Sequence, residues 1–134
     1  MKAFDRFLDE LESYERLKED IKHKNTPLLA TGVIDVQNMQ LASALSSQLM
    51  RPALIIAENE LTAKKMYEDY RFFDKNVCLF PSRDIIFFSA DVHSRETDIK
   101  RFKIINSLLK GERKSVIISA EALFDRFVKK EIFE

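Results

Sequence analysis

The first residues that could do chemistry follow a short apolar run, Leu28-Leu29-Ala30-Thr31, because a strand, a glycine and then a helix is where a phosphate loop forms. A Gly-x4-Gly-Lys-Ser/Thr template placed on Gly32 puts Gln37, Asn38 and Met39 at the second glycine, the lysine and the hydroxyl. Each substitution defeats one requirement. Gln37 carries a Cβ that resists a tight backbone cradle, Asn38 brings no positive charge to the phosphates, and Met39 has no oxygen for magnesium. Gly32, Gln37, Asn38 and Met39 therefore read as a degenerate phosphate loop that is not expected to bind.

A second irregular stretch runs from Phe80-Pro81-Ser82-Arg83-Asp84 through Ile85-Ile86-Phe87-Phe88 to His93-Ser94-Arg95-Glu96. It interrupts an otherwise regular alternation of apolar strands and amphipathic helices, at a crossover of the kind that carries function in open α/β sheets. Two readings of its polar residues Ser82, Arg83, Asp84, Arg95 and Glu96 stay open: an interdomain or docking contact, or a loop braced by its own arginine–carboxylate pairs.

Other chemistry finds little support. Glu58 lies where a dinucleotide fold places an acid on a ribose, but no G-x-G-x-x-G loop precedes it. The apolar run Ser115-Val116-Ile117-Ile118 ends in Ser119-Ala120-Glu121, where a helicase-type ATPase would carry Asp-Glu to hold magnesium. No spacing argument gives His23 or His93 an acid partner, and the lone Cys78 reads as a buried small hydrophobe. No catalytic residue, metal site or cofactor is expected.

The elements that must position these residues alternate in type. Phe4, Phe7, Leu8, Leu11, Tyr14, Leu17 and Ile21 predict an amphipathic N-terminal helix within residues 1–24, packed on the domain formed by residues 25–134. Strands are predicted at Leu28–Thr31, Ala53–Ala57, Val77–Phe80 and Ser115–Ser119. Between them fall a helix with Met39, Leu41, Ala42, Leu45 and Leu49 inward, and one capped by Asn59 with Leu61, Met66, Tyr67 and Tyr70 inward. A helix capped by Ser94 follows, with Ile99, Phe102, Ile105, Leu108 and Leu109 inward and Gly111 past its end. A closing helix is expected over Ala120–Val128 with Leu123, Phe124 and Phe127 on one face. This is an α/β domain in three layers, a mostly parallel sheet with flanking helices.

At 134 residues the chain is one domain's length, and 46% hydrophobic with 33% charged residues is ordinary for a globular protein. Lys plus Arg and Asp plus Glu are 22 each, so no net field draws the domain onto a phosphate backbone, and Lys100, Arg101 and Lys103 read as a solvated face. No apolar run approaches a membrane span, and no signal-peptide pattern opens the chain, so a cytoplasmic location without membrane contact is expected.

Thr31-Gly32 before a helix, Arg51-Pro52-Ala53-Leu54-Ile55-Ile56-Ala57-Glu58-Asn59-Glu60-Leu61 and Tyr67-Glu68-Asp69-Tyr70-Arg71-Phe72-Phe73 resemble the start of bacterial transcription-repair coupling factors. The Phe80–Asp84 and His93–Glu96 pieces are the most distinctive part of that likeness, which runs from about Leu28 to about Val128. More distantly, the region is similar to the first domain of the excision-repair protein UvrB. The resemblance implies a P-loop-NTPase or helicase-like fold with a degenerate nucleotide site, serving as a non-catalytic scaffold. It further implies a longer ATP-driven translocase in which UvrA, RNA polymerase, DNA, ATP and magnesium are bound mainly by later domains, this chain being an excised N-terminal piece. A UvrB-type ATP-dependent DNA-processing domain and a stand-alone nucleotide- or metabolite-binding module are the alternatives.

Overall fold

Three apolar runs become strands and pair in the order β1-β3-β2, all parallel, in the computed structural model, which describes residues 7–83, 91–125 and 127, with only the backbone described at 91–94. The elements are α1 (Glu12–Lys22), α2 (Asp35–Gln48), β1 (Leu54–Ala57), α3 (Glu60–Phe73), β2 (Val77–Phe80), α4 (Asp91–Leu109), β3 (Ser115–Ser119) and α5 (Ala120–Phe124). The strand order determines the layers. From β1 to β2 the chain steps past the place of β3, and from β2 to β3 it steps back; crossovers of the same hand then lay α3 and α4 on opposite faces of the sheet, and their side chains join separate cores.

Burial follows that arrangement. On one face Ala57, Val77 and Ile117 form a core with Met39 of α2 and Ala63 and Tyr70 of α3, joined by Ile55 and Leu79. On the other, Phe80, Val116 and Ile118 pack with Ala122, Ile104, Ile105 and Leu123. Central β3 is buried along its whole length, as expected of a parallel strand covered on both faces. Its first residue, Ser115, ties the layers together: its hydroxyl lies 2.9 Å from the Tyr70 hydroxyl and accepts the Ala53 N–H at 3.1 Å.

Three helices end in the same device. Past α1, α2 and α4, the residues Lys24, Met50 and Gly111 take φ of 60°, 55° and 78°, and paired backbone bonds close each last turn. For α4 these are Gly111 N–H to the Leu108 carbonyl (3.0 Å) and Glu112 N–H to the Ser107 carbonyl (3.1 Å). This is the Schellman arrangement, for which glycine suits only the third case.

Several expectations need correction. Leu28–Thr31 forms no strand, and Leu29 is 88% exposed, so these residues join no sheet edge. The N-terminal helix is not continuous, because residues 7–9 are helical and Leu11 then caps α1 with extended backbone. α4 begins at Asp91, which places Ser94 and His93 inside it rather than before it. Its buried side is set by Arg101, Ile104 and Ile105, while Ile99, Phe102, Leu108 and Leu109 are exposed. Leu61, Phe124 and Phe127 are also exposed, and α5 ends at Phe124. Phe4, Asp84, the Ile85–Phe88 run and Val128 lie outside the described residues.

Candidate functional site

Two places could carry function: the turn into α2 and the C-terminal end of the sheet. At the first, Gly32 has φ of +76° with open space where a Cβ would stand, and Ile34 leads into the helix without a side-chain cap. Asp35 opens the helix and accepts a hydrogen bond from Lys65 Nζ at 3.0 Å, which holds the Lys65 ammonium above its ordinary pKa. Gln37 and Asn38 are exposed, whereas Met39 is buried in the core beside Ala57 and Ile117. The helix phase that puts Met39 inward turns its side chain away from any phosphate placed on this turn.

Beside this turn lies a cleft of about 580 Å³, walled by Leu8, Leu11, Tyr14 and Leu17 on one side and by Leu28, Gly32 and Gln37 on the other. Leucines share its lining about equally with polar side chains, among them Ser13, Arg16, Asp20 and Gln40. Lys18 Nζ bonds Gln48 at 3.2 Å and Gln48 bonds Asp9 at 2.9 Å, so the N-terminal helical region is tied to the end of α2.

At the C-terminal end of the sheet an arginine is the centre. Arg101 is only 4% exposed. Its Nη1 donates to the Pro81 carbonyl at 2.9 Å and to Asp125 Oδ2 at 2.8 Å. Its guanidinium lies 4.6 Å from the centre of the Phe80 ring and 5.5 Å from that of Phe127. A buried charge needs such partners, and planar guanidinium stacking suits it better than an ammonium would. Arg101 thus corrects the reading of Lys100, Arg101 and Lys103 as one solvated face, since only the two lysines are exposed.

The residues singled out in the crossover are only partly brought to this point. The Arg83 N–H bonds Asp125 at 3.2 Å and its Nε pairs with Asp98 at 3.1 Å. The Ser82 N–H points to Glu60 Oε2 at 3.4 Å, which also faces the Ser119 hydroxyl at 3.4 Å. Arg95 is exposed on α4, Glu96 pairs with Lys100 at 2.7 Å, and Asp84 lies outside the described residues. The carboxylates that brace Ser82 and Arg83 therefore come from α3, α4 and the turn after α5. Glu60, Asp98, Arg101 and Asp125 were missed in the sequence. For Arg101 a signal existed, because it stands three and four residues before Ile104 and Ile105 on one helix face.

What this arrangement can do chemically is limited. Both arginines are matched by carboxylates, and the Ser119 hydroxyl accepts the Ala122 N–H as the cap of α5. Glu58 is exposed at the end of β1, bonded to Asn59 and Thr62. Burial pushes the Cys78 thiol up, so it is a poor nucleophile at neutral pH. Among the described residues no group of three or more His, Cys, Asp or Glu could hold a metal ion, and no helix is long and apolar enough to cross a membrane.

Comparison with known proteins adds one similarity. The chain is 24% identical over 119 residues to the transcription-repair-coupling factor of Bacillus subtilis (strain 168), covering 87% of this chain and 10% of that protein. The chain thus spans about a tenth of the length of the curated relative it matches. This points to a related domain. No family model matches the chain, and no solved structure matches significantly.

Proposed function

We propose that this chain is a non-catalytic scaffold domain of a transcription-repair coupling polypeptide, a UvrB-like α/β module with a degenerate phosphate loop. The observation that carries the reading is the similarity to the Bacillus coupling factor along 87% of the chain. The geometry at α2 supports it, since an exposed acid stands at the helix start and Met39 lies in the core. In this reading the domain offers a rigid layer that supports UvrA recruitment by a neighbouring domain in nucleotide excision repair. ATP-driven translocation on DNA and displacement of stalled RNA polymerase belong to other parts of the polypeptide, as do ATP and magnesium.

Calorimetric titration of the chain with Mg-ATP tests the central point. No heat of binding is expected up to millimolar nucleotide. Micromolar affinity would overturn the scaffold reading and favour a UvrB-type ATP-dependent enzyme domain.

A further inference from the structure

The two outer strands of the sheet are unlike. Along β2, Val77 and Phe80 are buried and Cys78 and Leu79 partly so. Along β1, Leu54 is 62% and Ile56 53% exposed, although Val116 and Ile118, their register partners on β3, are buried. Ile104 and Ile105 of α4 pack on that face against Phe80 of β2 and Val116 and Ile118 of β3, a cluster that does not include Leu54 or Ile56.

Among the described residues nothing pairs with the outer side of the β1 backbone either. The Ala53 carbonyl accepts the Val116 N–H at 2.8 Å, so the polar groups of Ala53 face β3. By the two-residue alternation those of Ile55 and Ala57 do too, while the N–H and C=O of Leu54 and Ile56 face outward. Natural edge strands are protected by charge, proline or a bulge. Leu54-Ile55-Ile56-Ala57 has no charge and no proline within it, and its register with β3 runs without a bulge. Its sequence is that of an interior strand of a parallel sheet.

We infer that the β1 edge is a docking site for one further β-strand, supplied by a part of the same polypeptide outside residues 1–134. The inference rests on the reading of the chain as one domain of a longer protein. A strand of aliphatic residues would take up the outward N–H and C=O groups of Leu54 and Ile56, and the chain that follows or precedes it would cover their side chains. A second copy of this chain fits less well. Two side chains, each little more than half exposed, fall well short of the roughly 800 Å² per partner that a stable interface buries. A tethered strand meets no such threshold, because its effective concentration is set by the chain that joins it. The Bacillus relative has nine tenths of its length outside the matched part, so a tether of this kind has ample sequence to come from.

Amide hydrogen exchange at Leu54 and Ile56 tests this, in the 134-residue chain and in the polypeptide to which its reading frame extends. In the short chain both amides are expected to exchange at least tenfold faster than that of Ile117. In the longer polypeptide they are expected to slow to the rate of Ile117. A longer polypeptide in which both stay fast would overturn the docking site while leaving the domain reading intact. A stop codon directly after Glu134 would overturn the domain reading, and the docked strand with it. Sedimentation of the short chain closes the remaining route: a monomer is expected, and a dimer abolished by L54K or I56K would assign the edge to a second copy and overturn the inference.

Discussion

At the scale of single residues the decisive group is Arg101, a full charge taken out of water and held by Asp125, the Pro81 carbonyl and two aromatic rings. Removing one partner of such a pair leaves the other charge stranded. Asp125→Ala is expected to lower stability by about 3 kcal/mol in urea unfolding, whereas Arg101→Met, which removes the charge and keeps most of the volume, should cost clearly less than Arg101→Ala. Cys78 gives a second test at this scale. Its raised thiol pKa means that the folded chain holds the proton above the ordinary thiol range, so alkylation should be slow at pH 8 and quicken as pH rises further. The same shift makes its contribution to stability complete below the unfolded thiol pKa and lost as pH rises through the folded one. Reaction with a disulfide reagent before and after unfolding measures the first, and urea unfolding across the same pH range measures the second.

At the scale of elements, the helix ends show where local chemistry is imperfect. Met50 is an exposed non-glycine residue held at φ of 55°, in the position that Gly111 fills after α4. Met50→Gly is expected to stabilise the chain by about 0.5–1 kcal/mol, read as a rise of a few degrees in thermal melting, while Gly111→Ala should do the reverse. The comparison of elements also shows what the amino-acid order conveys. Ala53–Ala57, Val77–Phe80 and Ser115–Ser119 were legible because continuous β-branched and apolar runs have few places other than a covered sheet. Leu28–Thr31 has the same look, yet a strand needs an edge to join as well as an apolar face, and a four-residue run says nothing of edges. The side of α4 that turns inward was misread for a related reason. Six apolar residues from Ile99 to Leu109 spread over more than half of the helix circumference, so only the arginine that stacks on Phe80 settles the phase.

At the scale of the whole molecule, equal numbers of acidic and basic groups leave no field to gather counterions or phosphates. Several exposed cations are also locally spent, as in Lys65 with Asp35, Arg83 with Asp98 and Lys100 with Glu96. Labelled duplex DNA is therefore expected to show no change in fluorescence anisotropy with this chain at about 0.15 M salt and micromolar protein. Binding that falls steeply with added salt would show a basic surface not apparent from these pairs. The candidate sites were legible unevenly at this scale. Gly32 to Met39 could be compared with a template, since a phosphate loop is local in sequence, but the cluster around Arg101 joins residues from positions 60 to 125 and no local pattern announces it.

The burial of Met39 bears on the proposal that a phosphate loop was lost here. On the proposed reading of Gly32 to Met39 as a lost phosphate loop, the position of the magnesium hydroxyl is held by Met39, which lies in the core with Ala57, Ala63 and Ile117. Restoring the hydroxyl by Met39→Thr would remove a core side chain worth about 2–4 kcal/mol and set a polar group among apolar ones, before any glycine or lysine was in place. Each early step back would be harmful on its own. On that reading such a position would work as a ratchet: a lineage that had crossed it would be held on the far side by its own folding stability, whatever the advantage of a working nucleotide site.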